Sequence, residues 1–179
     1  MVVITVSGIH GTGKTTAAKH LAKKLKLRYV GAGEVFRQLA KEKKMPLKEF
    51  SKYAEKRPSI DLMIDNRTAA AAKENNVLID GRLSGWMAKR ADFRILLTAP
   101  LEVRVKRMAQ REGRKYRDVL AETEAREKSE TMRFKRFYGV DVNDLSAFDL
   151  VLNTRGLSID QMTRVLELAV SIAVKGARK

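Results

Sequence analysis

Apolar and polar positions along this chain fall into two alternating kinds of stretch. Val2 to Val6, Arg28 to Gly31, Val77 to Ile79, Arg94 to Thr98 and Leu150 to Asn153 are short, mostly β-branched or aliphatic runs that read as buried strands. Between them apolar residues recur at helical spacing. Ala17, Ala18, Leu21, Ala22 and Leu25 form one stripe between Thr16 and Leu27. Val35, Phe36, Leu39 and Ala40 form another between Glu34 and Lys44, after the turn Gly31-Ala32-Gly33. A short helix is predicted from Leu47 to Lys56, between Pro46 and Pro58. Ile60, Met63, Ile64, Thr68 and Ala71 mark a helix from Ser59 to Glu74, stopped by Asn75-Asn76. A further helix follows Pro100 and breaks at Gly113. Ser158 reads as the N-cap of a last helix with Ile159, Met162, Val165, Leu166 and Ala169 on its buried stripe. Lys115 to Tyr138 is helical too, but it is dense in charge and weak in apolar stripe, so it is expected to be mobile and poorly packed. Strands alternating with helices predict an α/β fold built on a parallel sheet, with ligands at the carboxyl ends of the strands.

The first strand runs into Gly8-Ile9-His10-Gly11-Thr12-Gly13-Lys14-Thr15, and a helix follows. This is the G-x-x-x-x-G-K-T pattern of the P-loop in its required context of strand, glycine loop and helix. Its backbone N–H groups, from Gly8 to Thr16, can wrap phosphates, and the helix N-terminus adds partial positive charge. Lys14 can reach the β- and γ-phosphates of ATP, and the Thr15 hydroxyl can ligate Mg²⁺. His10 is expected to lend backbone N–H rather than ring chemistry. Asp80 ends the strand Val77 to Ile79, where P-loop proteins place the acid of their second nucleotide motif, able to hold a Mg²⁺-bound water. The competing reading of Asp80 is a turn residue before Gly81.

Charge sharpens the picture. The 179 residues carry a net charge of +16 and a pI near 10.2, which suits partners bearing several phosphates. Few aromatics are available to stack bases, and no nucleic-acid motif is present, so nucleic acid is not expected as a partner. Absence of cysteine removes disulfides and thiolate metal sites. No apolar run reaches the roughly 20 residues of a membrane span, and no signal peptide is evident, so a cytoplasmic chain with no membrane partner is expected. Arginine forks stabilise the charge of a phosphoryl group in transfer. The candidates outside the loop are Arg37, Arg82, Arg107, Arg111, Arg126 and Arg133. Arg126 and Arg133 lie two helical turns apart with Glu130 between them; the alternative is that these are ordinary surface pairs. Trp86 and Met87, which follow Gly85, read as core rather than as the wall of a base pocket.

Together the P-loop, Gly31 to Arg37, the Asp80-Gly81-Arg82-Leu83 turn with Gly85-Trp86, Ile60-Asp61 with Ile64-Asp65 and Arg67, Arg111-Glu112-Gly113, and Arg133 to Asp141 through Asp144-Leu145-Ser146 resemble nucleoside monophosphate kinases. The resemblance is nearest to cytidylate kinases of the short archaeal type and covers nearly the whole chain. It implies a P-loop parallel β-sheet flanked by helices, in a single domain. The core would be about 1–31, 77–113 and 147–179, the segment binding the nucleoside monophosphate about 32–76, and the lid about 114–138. It implies transfer of the γ-phosphoryl of ATP to CMP or dCMP with Mg²⁺. Arg37, Asp61, Arg82 and Glu130 would hold the monophosphate nucleotide. Lys14, Asp80, Arg126 and Arg133 would be catalytic, with Thr15 and, through water, Asp80 at the metal. A monomer is expected. Thr98 stands where bacterial relatives have aspartate, which leaves ribose against deoxyribose open. The remaining alternatives are a kinase for UMP, AMP or a nucleic acid 5′-hydroxyl, and a non-catalytic, nucleotide-switched nucleic-acid-binding protein.

Overall fold

A computed structural model describes residues 2–46, 49–50, 53–54, 56–71, 73–74 and 76–176, with the side chains at 71, 129, 133, 175 and 176 left aside. Five strands, β1 (Val3–Ser7), β2 (Arg28–Gly31), β3 (Val77–Asp80), β4 (Phe93–Thr98) and β5 (Leu150–Asn153), form one sheet in the order β2-β3-β1-β4-β5. Every pairing is parallel. The helices are α1 (Lys14–Lys24), α2 (Ala32–Glu42), α3 (Pro58–Ala71), α4 (Ser84–Met87), α5 (Leu101–Glu112), α6 (Tyr116–Tyr138) and α7 (Ile159–Gly176). The α/β expectation and its strand boundaries hold closely.

Both faces of the sheet are covered, which is why the strands read as continuous apolar runs. Ile4, Val6, Leu78, Ile95 and Leu97 pack on one face against Ala17, Ala18 and Leu21 of α1 and Met162, Leu166 and Val170 of α7. Val3, Val77 and Ile79 pack on the other with Ala88 and Ala91. A separate cluster of Val35, Leu39, Ala40, Phe50, Ile60 and Ile64 joins α2 to α3. Val105, Met108 and Ala109 of α5 pack with Val119 of α6.

Several local readings shift. Helix α1 opens at Lys14, not Thr16, and ends at Lys24, because Lys26 turns left-handed (φ 55°) to feed β2. Helix α2 absorbs Gly33 instead of beginning after it. The predicted helix from Leu47 to Lys56 lies largely outside the described residues, as does Asn75, while Asn76 has φ 57° and serves as the turn into β3. Ser158 is confirmed as a cap. Its hydroxyl accepts from the N–H of Gln161, and its own N–H donates to the Gln161 side chain, a reciprocal capping box. The stripe that follows differs from expectation: Met162, Thr163, Leu166 and Val170 are buried, while Ile159 and Val165 are exposed. Trp86, read as core, is only half-buried, edge-on to Phe148 with ring centroids 4.6 Å apart and outside the main apolar clusters.

Helix α6 is the main correction. It is one continuous helix of 23 residues, and its inward face is packed down, with Val119, Thr123 and Glu130 buried. Its stripe (Val119, Thr123, Glu127, Glu130, Phe134) has helical period, but most of it is polar, and an apolar count along the sequence passes over it.

Candidate active site

The parallel register brings three strand ends together. Val6 is paired with Asp80, and Gly31 with Asp80 across β3. The loop after β1, the carboxylate ending β3 and the start of α2 therefore share one edge of the sheet, as the sequence predicts. Gly11 and Gly13 have φ of 78° and 90°, a conformation in which L side chains are strained. Gly13 is thereby the cap from which Lys14 starts α1, and the helix N-terminus points into the loop. The Thr12 hydroxyl closes the loop on the Ile9 carbonyl at 2.9 Å. From outside, Thr154 donates to the Thr12 carbonyl at 3.1 Å, and Arg107 donates to both the Thr154 hydroxyl and its carbonyl. Arg107, a candidate for phosphoryl chemistry, thus braces the loop. Arg111 is paired with its neighbour Glu112 at the surface.

Asp80 is buried at the centre of the edge. Its Oδ2 accepts from the hydroxyls of Thr15 at 2.7 Å and Tyr29 at 2.8 Å. Its Oδ1 stands 3.7 Å from the Lys14 ammonium and has no hydrogen-bond partner of its own. Tyr29 was not foreseen. Its signal was its place on β2, in parallel register with Leu78, two residues before Asp80 on the same face. Burial, and then the adjacent Asp80 carboxylate, raise the Tyr29 phenol, so it remains a donor. Burial lowers the Lys14 ammonium, opposed by Asp80 and reinforced by Arg82 and Arg126. The turn Asp80-Gly81-Arg82 is pinned from below. The Gly81 N–H donates to the Val6 carbonyl, the Ser84 hydroxyl donates to the Gly81 carbonyl, and the Gly85 N–H donates to Ser7 Oγ.

Above this floor lies a cavity of about 820 Å³ between the P-loop, α2, α3 and α6. That volume is of the size that holds a small-molecule ligand. His10, Lys14, Thr15, Arg37, Asp61, Asp80, Arg82, Arg126 and Glu130 all line it, as do Phe36, Asp65 and Phe134. The sequence reading named neither aromatic nor Asp65 as a site residue. Trp86 does not line the cavity, whereas Met87 does. Glu130 is the hub of its upper wall. It pairs with Arg82, accepts from Arg126 Nε at 2.9 Å, and lies 3.6 Å from His10 Nε2. Arg82 also lies over the Phe134 ring, 5.6 Å from its centroid. The surface-pair reading therefore fails for Glu130, whose side chain is only 4 % exposed. The Arg133 side chain falls outside the described residues. At the far end of α6, the Tyr138 hydroxyl bonds Asp65 of α3.

The cavity can receive a polyanion among its cations. Lys14, Arg37, Arg82 and Arg126 all line it, beside the start of α1. Beside the P-loop lysine its hard oxygen donors are the Thr15 hydroxyl and Asp80, whose Oδ1 has no hydrogen-bond partner. That set suits Mg²⁺, which keeps waters and phosphate oxygens as most of its ligands, and it fits no all-protein cage. No cluster of three or more metal-ligating side chains occurs among the described residues, nor is any helix there long and apolar enough to cross a membrane.

His10 does more than lend its backbone. Burial, and then Arg82, Arg126, Lys14 and Arg104, push its imidazole down to about 2. The ring is therefore neutral beside Glu130. The folded state refuses a proton that the unfolded chain binds below about pH 6.5. Stability is thus intact above the unfolded value and is lost as pH falls from there toward the folded one. The expected outcome is an acid-side slope of up to about 1.4 kcal/mol per pH unit from this one ring. His10→Asn should flatten that part of the curve when denaturant melts are compared between pH 7 and pH 4.

Residues 3–156 match the cytidylate kinase-like family. The cytidylate kinase of Pyrococcus horikoshii is 47% identical over 168 residues, covering 94% of this chain and 88% of its own. That of Archaeoglobus fulgidus is 43% identical over 170 residues, covering 94% of each. Among solved structures, shikimate kinase from Bacteroides thetaiotaomicron superposes with a TM-score of 0.64 at 16% identity, over 95% of this chain and 98% of that one, a likeness of fold alone. On this sequence match the chain belongs to the cytidylate kinase-like family.

Proposed function

We infer that this protein transfers the γ-phosphoryl group of ATP to CMP, giving ADP and CDP. The observation that carries the reading is the single cavity edge on which the P-loop, Asp80 and Arg82 meet, in a chain about 45% identical to cytidylate kinases over 94% of its length. The first 31 residues with 77–113 and 147–179 act as the core, 32–76 as the acceptor-binding segment, and 114–138 as the lid. ATP places its β- and γ-phosphates in the loop Gly8 to Thr16, against Lys14. The Thr15 hydroxyl and, through water, Asp80 Oδ1 would hold Mg²⁺, which when bound would offset phosphate charge.

Arg37 and Arg82 take the phosphate of CMP. One of its oxygens is already ionised at neutral pH, so it attacks the γ-phosphorus without a general base. The bond to the β,γ-bridging oxygen breaks, and the electron pair leaves on ADP. Arg126 and Arg133 contribute forks to the equatorial oxygens as charge spreads over them. Glu130 yields Arg82 and Arg126 to the incoming phosphates. At the other end of the cavity, Asp61 and Asp65 offer acceptors to an amino group. Cytosine presents its N4 amine there, where uracil presents a carbonyl oxygen.

The test is a coupled assay with ATP and Mg²⁺ across CMP, dCMP, UMP and AMP. CMP or dCMP is expected to have the highest specificity constant. A value for AMP about tenfold above that for CMP, near 1.4 kcal/mol, would reject the acceptor and leave the fold untouched. Lys14→Ala should lower turnover by about a hundredfold or more in a protein that melts normally, because the group lost acts on developing charge. Near-normal turnover would remove this loop from catalysis. Arg126→Ala should lower kcat about tenfold, with far smaller changes in either Michaelis constant. An unchanged kcat beside a slightly lowered melting temperature would make Arg126 a solvated charge only.

A further inference from the structure

Arg104, on α5, has no role in the transfer described above. It lines no part of the cavity, yet its guanidinium is almost completely buried, with 5 % of the side chain exposed. Three separate parts of the protein meet on it. Nε donates to the Ala99 carbonyl at 2.9 Å, just past the end of β4. Nη1 donates to the carbonyl of His10, inside the P-loop, at 3.2 Å. The fork is completed by Glu127 of α6, which takes Nη1 on one oxygen and Nη2 on the other, the latter at 3.2 Å. The P-loop also rests on the backbone of the same residue. A methyl at Gly11 would lie 2.8 Å from both Cβ and the carbonyl oxygen of Arg104.

We propose that Arg104 is a positioning residue that sets the lid in register with the P-loop. Its fork on Glu127 fixes the rotation and height of α6 so that the adjacent Arg126, and Glu130 one turn on, face the phosphate site. The inference rests on the reading of Arg126 as a group that touches the transferred phosphoryl. Planarity is essential to it. Two parallel N–H···O bonds fix an orientation, which a lysine ammonium in the same place does not. Two of the acceptors are backbone carbonyls that belong to the sheet and the loop. Only the carboxylate travels with the lid. An ion pair of this kind roughly balances its attraction against the hydration both ions regain on separation. It can therefore register the lid without locking it, as a leucine stripe at the same positions would do whether or not nucleotide were bound.

A residue that only fills the core predicts lost stability and unchanged kinetics per folded molecule. Positioning predicts otherwise. Glu127→Gln keeps the shape of the side chain and one acceptor oxygen at the partly exposed end of the cluster; Arg104→Lys keeps the charge and loses the fork, and a thermal melt establishes that each variant is folded before its kinetics are read. In both, kcat with ATP and CMP should fall about tenfold while the Michaelis constants change little. Adding Arg126→Ala to Glu127→Gln should cost much less than Arg126→Ala alone, because an arginine already out of place has little left to lose. Hydrogen exchange on the nucleotide-free protein supplies the arm that does not depend on the reaction. Amides of α6 should exchange about tenfold faster in Glu127→Gln, with those of β1 and β4 unchanged. Unchanged exchange in α6, or additive losses for Glu127 and Arg126, would overturn the proposal. A wild-type protein inactive on CMP would instead reject the acceptor, with the exchange measurement still deciding the role of Arg104.

Discussion

Cations crowded into a poorly hydrated cavity repel one another, and the structure around this cavity depends on how that repulsion is balanced. Lys14, Arg82, Arg104 and Arg126 stand near enough that each depresses the His10 imidazole. Three carboxylates answer them. Asp80 faces Lys14, Glu130 spans Arg82 and Arg126, and Glu127 takes the fork of Arg104. They come from two levels of the fold. Asp80 belongs to the sheet, whereas Glu127 and Glu130 belong to α6 and enter only when that helix is down. The neutrality of His10 follows first from its burial and then from the same crowding, because a proton there would add one more positive charge. What fixes the upper wall is therefore charge pairing, supported by a small apolar contact between Val119 and α5.

That distribution explains which features could be read from the sequence. The P-loop was legible because its requirements are local: a strand, glycines at positive φ, and a helix that starts at Lys14. Asp80 was legible because a carboxylate ending an apolar run is itself a pattern. Arg37, Asp61, Arg82, Arg126 and Glu130 were named, by resemblance or by spacing, and the fold gathers all five on one cavity. Tyr29, Phe36, Asp65 and Phe134 were passed over as site residues. Phe36, Asp65 and Phe134 lie in stretches that carry the resemblance, but which of those residues face the cavity depends on register and on packing across segments. Arg104 was passed over for a stronger reason. It looks like one basic residue in a helix rich in them, and its partners, His10 and Glu127, lie 94 and 23 residues away.

Helix α6 is where the reading of the sequence and the structure part most clearly. Sparse apolar residues were taken to mean loose packing, a rule that holds where burial is the main force on a helix. Here the inward positions are Thr123, Glu127 and Glu130, whose partners are an arginine fork and a pair of cavity arginines. The period of the stripe was present in the sequence; its chemical character hid it. The last helix errs in the opposite direction. Ile159 and Val165 were placed inside on apolar character, but the face that meets the sheet is set by Met162, Leu166 and Val170, and Thr163 takes a buried position by bonding the carbonyls of Ile159 and Asp160.

The same charge economy bears on how a phosphate enters. Arg82 and Arg126 are not waiting bare for an anion; they already hold the carboxylate of Glu130. An incoming phosphate group therefore exchanges one anion for another, and the net gain in attraction is smaller than the count of arginines suggests. Arg82 is largely desolvated in the folded chain, whereas Arg126 keeps about half of its side chain in solvent and loses that hydration only when the phosphate is enclosed. What the phosphate adds over the carboxylate is more oxygens and greater charge, and hence more of the fork satisfied. The advantage of these arginines thus grows as charge accumulates on the oxygens between donor and acceptor, which is the stage at which differential binding accelerates a reaction. A carboxylate that fits the resting cavity and fits the reacting one poorly makes the empty site stable without making it a trap.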